Sequence, residues 1–143
     1  MVAAVDFSQP SRKAAACATQ IAPKADFQFV HAFEVEFESS LRLAGATEDK
    51  VQAHRRQAQE QAMSTMEQFV SQFAFPRERI WATVARGYPP TVIIDRATQV
   101  GAELVVVGKH AAGIVEQLMI GSVALQGLER AQCDVLVVPE GAA

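Results

Sequence analysis

Cysteine is scarce in this chain. The two thiols, Cys17 and Cys133, lie far apart and lack the C-x-x-C spacing of a redox or zinc site. Both read as small core residues of a reducing compartment, which predicts a cytoplasmic protein without a disulfide. Basic runs are missing as well. Thirteen Lys and Arg stand against sixteen Asp and Glu, for a formal net charge of -3. Nothing offers the basic footprint by which nucleic acids or anionic membrane surfaces are held. The longest uncharged stretch near the C-terminus, Gln117 to Leu128, is too short to span a bilayer. The opening "MVAAVDFSQP" has no basic lead-in and meets Asp6 almost at once, so no leader peptide is expected.

Missing motifs narrow the chemistry further. No G-x-x-x-x-G-K-[ST] phosphate loop occurs, since Lys109 follows Gly108 but precedes His110. The first apolar run leads into "DFSQPS" rather than the G-x-G-x-x-G of dinucleotide sites. Neither a G-x-S-x-G elbow nor an H-E-x-x-H helix is present, so a catalytic nucleophile has no sequence support. No dedicated metal-ligand cluster, internal repeat or low-complexity segment is evident.

What is present is an ordinary globular composition, 50% hydrophobic and 20% charged over 143 residues, which fits one domain covering 1–143. Val2 to Val5 reads as a strand buried on both faces. "SQPSRKAAACATQIA" follows as an amphipathic helix, with Ser8 or Ser11 as cap and Pro10 near its start. Asp26 to Phe33 is a second strand, and the polar stretch Glu34 to Ala46 a long loop and a candidate variable surface for partners. From Thr47 to Phe73 the apolar positions Val51, Ala58, Ala62, Met66, Phe69 and Phe73 recur at helical spacing, with Arg55, Arg56, Gln59 and Glu60 on the other face. Ile80 to Val84 is a third strand, and "GYPPTVIIDRATQVG" a third helix opened by Pro89 or Pro90 and closed at Gly101. "ELVVVG", a helix from Ser122 to Ala131, and "DVLVVP" complete the pattern. This alternation calls for an α/β fold with a five-stranded parallel open sheet, order 3-2-1-4-5, and helices on both faces.

Such sheets bind ligands beyond the carboxyl ends of the strands where the order reverses, here between strands 1 and 4. Asp6 and Gly108 close those two strands. Asp6 could accept from a ribose hydroxyl, and the tip of strand 2 near Ala32 could offer backbone groups to an adenine edge. The helix opening at Gly121, Ser122 and Val123 offers N–H groups and the positive end of a dipole to an anion. Each feature has a plainer reading. Gly-Ser can be only a cap, Asp6 only a turn residue, His110 solvated, His31 a satisfied core or rim histidine, and His54 a surface group.

The segments "VAAVDFSQPS", "FVHAFE", "GYPPTVIIDRATQVGAELVVVGKH" and "GSVALQGLERAQCDVLVVP" resemble the universal stress protein family of the UspA type, nearly end to end. ATP-binding members carry G-x-x-G, nine residues, then G-[ST]. Here Gly108 is followed by Ala111 in the second glycine position, then nine residues from Ala112 to Ile120, then Gly121 and Ser122. The resemblance implies a Rossmann-like fold in which Asp6 binds the nucleoside and the Ala32 backbone meets adenine. It further implies that Gly108, Gly121, Ser122 and Val123 hold phosphates, with Val107, His110 and Ala111 in the same pocket. If the second glycine position requires positive φ, Ala111 costs about 1 kcal/mol, or about fivefold to tenfold in affinity.

The ligand so implied is ATP, with AMP or ADP as alternatives and Mg²⁺ only as a companion of bound nucleotide. A homodimer through the last strand, Val135 to Val138, is implied too. The expected function is a nucleotide-binding stress-response regulator acting by occupancy, because no P-loop or water-activating base is evident; slow ATP hydrolysis stays open. The alternative is a dimeric interaction module of the same fold that binds no nucleotide, and a third class is an adenylyl-transfer enzyme.

Overall fold

The computed structural model describes residues 1–35, 38–108 and 133–138. Five parallel strands, β1 (Val2–Ala4), β2 (Phe27–Phe33), β3 (Ile80–Arg86), β4 (Leu104–Gly108) and β5 (Asp134–Val138), form one sheet in the expected order β3-β2-β1-β4-β5. The described α-helices are α1 (Gln9–Ile21), α2 (Glu38–Leu43), α3 (Glu48–Val70) and α4 (Pro89–Gln99), and a short 3-10 helix, Arg77–Arg79, leads into β3. The helix expected from Ser122 to Ala131 lies outside the described residues.

The central strand explains why its sequence is unbroken apolar. Val2 and Ala4 pack with Ile93 and Ala97 of α4, while Ala3 and Val5 pack with Ala15 of α1 and with Met66 and Phe69 of α3. Alternate side chains therefore meet helices on opposite faces, and neither face of β1 sees water. Small residues on both partners allow α1 to lie close. Ala14 and Ala18 are fully buried against Phe27, Val106 and Val138.

Local chemistry sets the helix starts. Ser8 caps α1, its hydroxyl accepting from the Ser11 N–H at 3.3 Å, so the choice between Ser8 and Ser11 falls to Ser8. Thr47 caps α3 by accepting from the Lys50 N–H at 3.4 Å, with Glu48 and Asp49 in the first turn. Helix α3 ends at Val70 rather than Phe73, yet the Phe73 ring still packs on Phe29, 5.5 Å between centroids. Gly101, at φ 59°, ends the turn after α4 in the left-handed region that glycine tolerates.

The stretch expected to be a loop from Glu34 to Ala46 contains α2, a correction to the sequence reading. Its polar composition hid a helix held by ion pairs. The Glu38 carboxylate accepts from Arg55 of α3, Nε at 3.1 Å, and from Arg86 of β3 at 3.2 Å, and it also meets Arg42 of α2 at 3.3 Å. The polar face of α3 is likewise no plain solvent face. Arg55 pairs with Glu38, and Gln59 donates to the Val84 carbonyl of β3 at 3.0 Å, whereas Arg56 and Glu60 are exposed as expected. Among the described residues no helix is long and apolar enough to cross a membrane.

Candidate functional site

The sheet order reverses at the β1–β4 pair, registered Val2 to Val105 and Ala3 to Val106. Asp6 lies just beyond β1, Gly108 is the last residue of β4, and Ala32 lies near the end of β2, paired with Ala85. The fold thus brings Asp6, Ala32, Val107 and Gly108 to the carboxyl end of the sheet. The Val107 side chain is fully buried in the layer beneath α4, so what it offers at the sheet end is backbone. His110, Ala111, Gly121, Ser122 and Val123 lie outside the described residues.

Between β1 and α1 the chain makes a tight turn centred on Asp6. Its Oδ1 accepts from the Ser8 N–H at 3.0 Å and from the Ser8 hydroxyl at 2.5 Å. Ser8 in turn caps α1, so one carboxylate oxygen fixes both the strand exit and the helix entry. The plainer reading of Asp6 as a turn residue is therefore realised. A carboxylate accepts from several donors at once, which keeps this duty compatible with binding a hydroxyl.

Phe7, between Asp6 and Ser8, has φ 66°. A left-handed backbone costs a residue bearing a Cβ about 1–2 kcal/mol. Ring packing offsets it: the Phe7 ring lies 4.3 Å from His31 and 5.9 Å from Phe69, between centroids. Strain of this kind, locked by surrounding packing, is characteristic of functional turns. The Asp-x-Ser spacing before a helix signals the turn. No sequence signal marks an aromatic residue for positive φ.

His31 is the satisfied rim histidine of the plainer sequence reading, and the structure adds its partner. Its Nδ1 lies 2.7 Å from the Val5 carbonyl oxygen. A carbonyl can only accept, so Nδ1 carries the proton and donates. The side chain of one strand thereby ties down the last carbonyl before the Asp6 turn. Burial holds the His31 pKa below its ordinary value of 6.5, against opposing pulls from the Val5 hydrogen bond and from Asp6. The ring is accordingly neutral at pH 7, a satisfied rim histidine with a definite tautomer.

Gly108 has a packing reason independent of any ligand. A Cβ there would lie 2.6 Å from both the carbonyl carbon and oxygen of Pro10 and 2.9 Å from the Ser11 nitrogen. These are backbone atoms of the first turn of α1, which cannot rotate aside. The glycine lets α1 close onto the end of β4, beside the Asp6 turn.

Among the described residues no group of three or more His, Cys, Asp or Glu could hold a metal ion. Cys17 and Cys133 are free thiols packed against core clusters, and burial, then Asp134, pushes the Cys133 thiol up. That favours the protonated thiol over the thiolate.

A family model described as the universal stress protein family matches residues 1–139. The universal stress protein YxiE of Bacillus subtilis (strain 168) is 24% identical over 143 residues, covering 96% of this chain and 97% of that protein. Among solved structures, the chain is similar to the protein MJ0577, for which a biochemical function was assigned from structure, with TM-score 0.73 and 19% identity over 99% of this chain and 96% of that one. It is also similar to the universal stress protein UspA from Lactobacillus plantarum, TM-score 0.61 and 22% identity, covering 96% and 94% of the two chains. A universal stress protein in complex with cAMP gives TM-score 0.55 and 24% identity, covering 96% and 93%. At such identities the structural likeness bears on the fold.

Proposed function

The chain belongs to the universal stress protein family, and from that premise we propose that it is a stress-response regulator that binds ATP, with AMP or ADP as alternatives. Occupancy rather than rapid turnover is the functional variable. The observation that carries this reading is the adjacency of β1 and β4 where the sheet order reverses, with Asp6 and Gly108 at their ends. The spacing from Gly108 to Gly121 and Ser122 adds the elements of a phosphate cradle. A related universal stress protein holds cAMP, which favours an adenine nucleotide.

In this reading Asp6 accepts from the ribose and the Ala32 backbone meets adenine. Gly108, Gly121, Ser122 and Val123 surround the phosphates, with Val107, His110 and Ala111 beside them and Mg²⁺ only as a companion of the nucleotide. Bound ATP would supply a charged group whose presence or absence changes the surface shown to partners. The protein is proposed to be a single domain over 1–143, cytoplasmic and dimeric.

Denaturing extraction of the purified protein followed by nucleotide chromatography, with calorimetric titration of ATP, tests the reading. Replacing Gly121 and Ser122 by bulkier residues is expected to weaken ATP binding at least about tenfold, equivalent to ~1.4 kcal/mol. No extractable nucleotide and no affinity at millimolar ATP would instead favour the second reading, a dimeric interaction module of the same fold without nucleotide. Two observations favour that alternative: Ala111 replaces a motif glycine, and Gly108 is already required by packing. Release of ADP at an enzyme-like rate would contradict both.

A further inference from the structure

On the face of the sheet that carries α1 and α3, a cleft of about 650 Å³ opens between α1 and the connection from α3 to β3. That is within the range of small-molecule sites, about 300–1,000 Å³. Arg12, Thr19 and Gln20 line one side, and Phe73, Phe75 and Pro76 the other. Among the described residues Arg12 is the one charged residue lining the cleft. Its guanidinium carbon lies 5.6 Å from the Phe69 ring centroid, its Nε is buried without a hydrogen-bond partner, and it enters none of the ion pairs among the described residues.

An arginine laid on an aromatic face and without a carboxylate partner among the described residues keeps its terminal guanidinium N–H groups, rather than the buried Nε, to offer an anion. We propose that this cleft binds a small organic monocarboxylate with an aromatic or branched apolar body. Arg12 takes the carboxylate, because the planar guanidinium matches it with two parallel hydrogen bonds. Phe73, Phe75 and Pro76 cover the apolar body. Charge sets the ligand class. One cation between largely apolar walls balances one negative charge, whereas a phosphate dianion would bring an uncompensated charge against them. The cleft extends to Pro23 and Pro76, which precede β2 and β3, whereas the nucleotide reading concerns the carboxyl ends of the strands. Arg12 itself lies in the first turns of α1, near the Asp6 turn, so binding that reaches residues 72–76 is what distinguishes this cleft from the nucleotide site.

Amide chemical shifts of ¹⁵N-labelled protein titrated with phenylacetate, 4-phenylbutyrate and indole-3-acetate test the proposal. Each acid is compared with its neutral carboxamide. At least one acid is expected to give saturable shifts centred on residues 12–23 and 72–76, with its carboxamide binding about tenfold more weakly. Arg12→Met keeps an apolar stem over Phe69 and should cost the acid a similar factor while leaving the carboxamide unchanged. Thr19→Trp, which fills the cleft from the other end of its α1 wall, should abolish both. Equal binding of acid and carboxamide, undiminished acid affinity in a folded Arg12→Met protein, or no saturable shifts at these residues with any of the three acids would overturn the proposal.

Discussion

Replacing Gly108 by alanine separates packing from ligand binding at a single residue. Backbone atoms of Pro10 and Ser11 leave no room for the methyl group, so the variant is expected to lose about 1–3 kcal/mol of stability without any nucleotide present. Chemical denaturation measures this, and an unchanged midpoint would show that α1 moves away freely. His31 makes a different prediction. Its folded pKa is lowered, chiefly by burial, so the unfolded chain takes up a proton first as pH falls. Stability is fully present above about pH 6.5, declines through that value, and levels off below the folded pKa. His31→Asn keeps a donor for the Val5 carbonyl but does not titrate, and should flatten that part of the stability profile. A decline equally steep in the Asn variant would exclude His31 as its source.

Helix α2 is the element whose existence depends most on tertiary contacts. Six residues are too few to hold a helix in isolation. Glu38 ties this one to α3 through Arg55 and to β3 through Arg86. The hydrogen bond from Arg55, with the nearby arginine charges, holds the Glu38 carboxyl below its ordinary value of 4.5. Its contribution is therefore present above that value and lost as pH falls through the folded pKa. Glu38→Gln is expected to speed hydrogen exchange of residues 38–46 by about threefold or more at neutral pH, leaving the middle of α3 unchanged. Equal protection in the two proteins would mean that apolar contacts, not the ion pairs, fix α2.

At the scale of the whole molecule the sheet has two edges, β3 and β5. Gln59 occupies a carbonyl of β3, and Arg86 and Trp81 stand exposed along it. Among the described residues the β5 edge instead carries half-buried Val135 and Leu136 and Val137, 36% exposed, with Val138 turned into the core, which suits pairing with a second copy about a two-fold axis. Val137→Lys is expected to shift the protein from dimer to monomer in light scattering coupled to size exclusion. A wild-type chain that stays monomeric at high micromolar concentration would remove this interface from the proposed function.

The sequence by itself determined the strand order, and with it that Asp6 and Gly108 stand at the ends of the two strands flanking the reversal. Unbroken apolar runs such as Val105 to Val107, alternating with capped amphipathic helices, leave a parallel sheet covered on both faces as the economical way to bury both kinds of surface. The switch-point rule then pointed to Asp6 and Gly108 without side-chain detail. Only the tertiary structure decided what those residues do. The Phe7 dihedral, the His31 bond to Val5, the closeness of Pro10 to Gly108 and the capture of Glu38 by Arg55 and Arg86 all join residues distant in sequence or locally strained. Periodicity reports which face of an element avoids water. It carries no information on which particular atoms meet across the faces so buried.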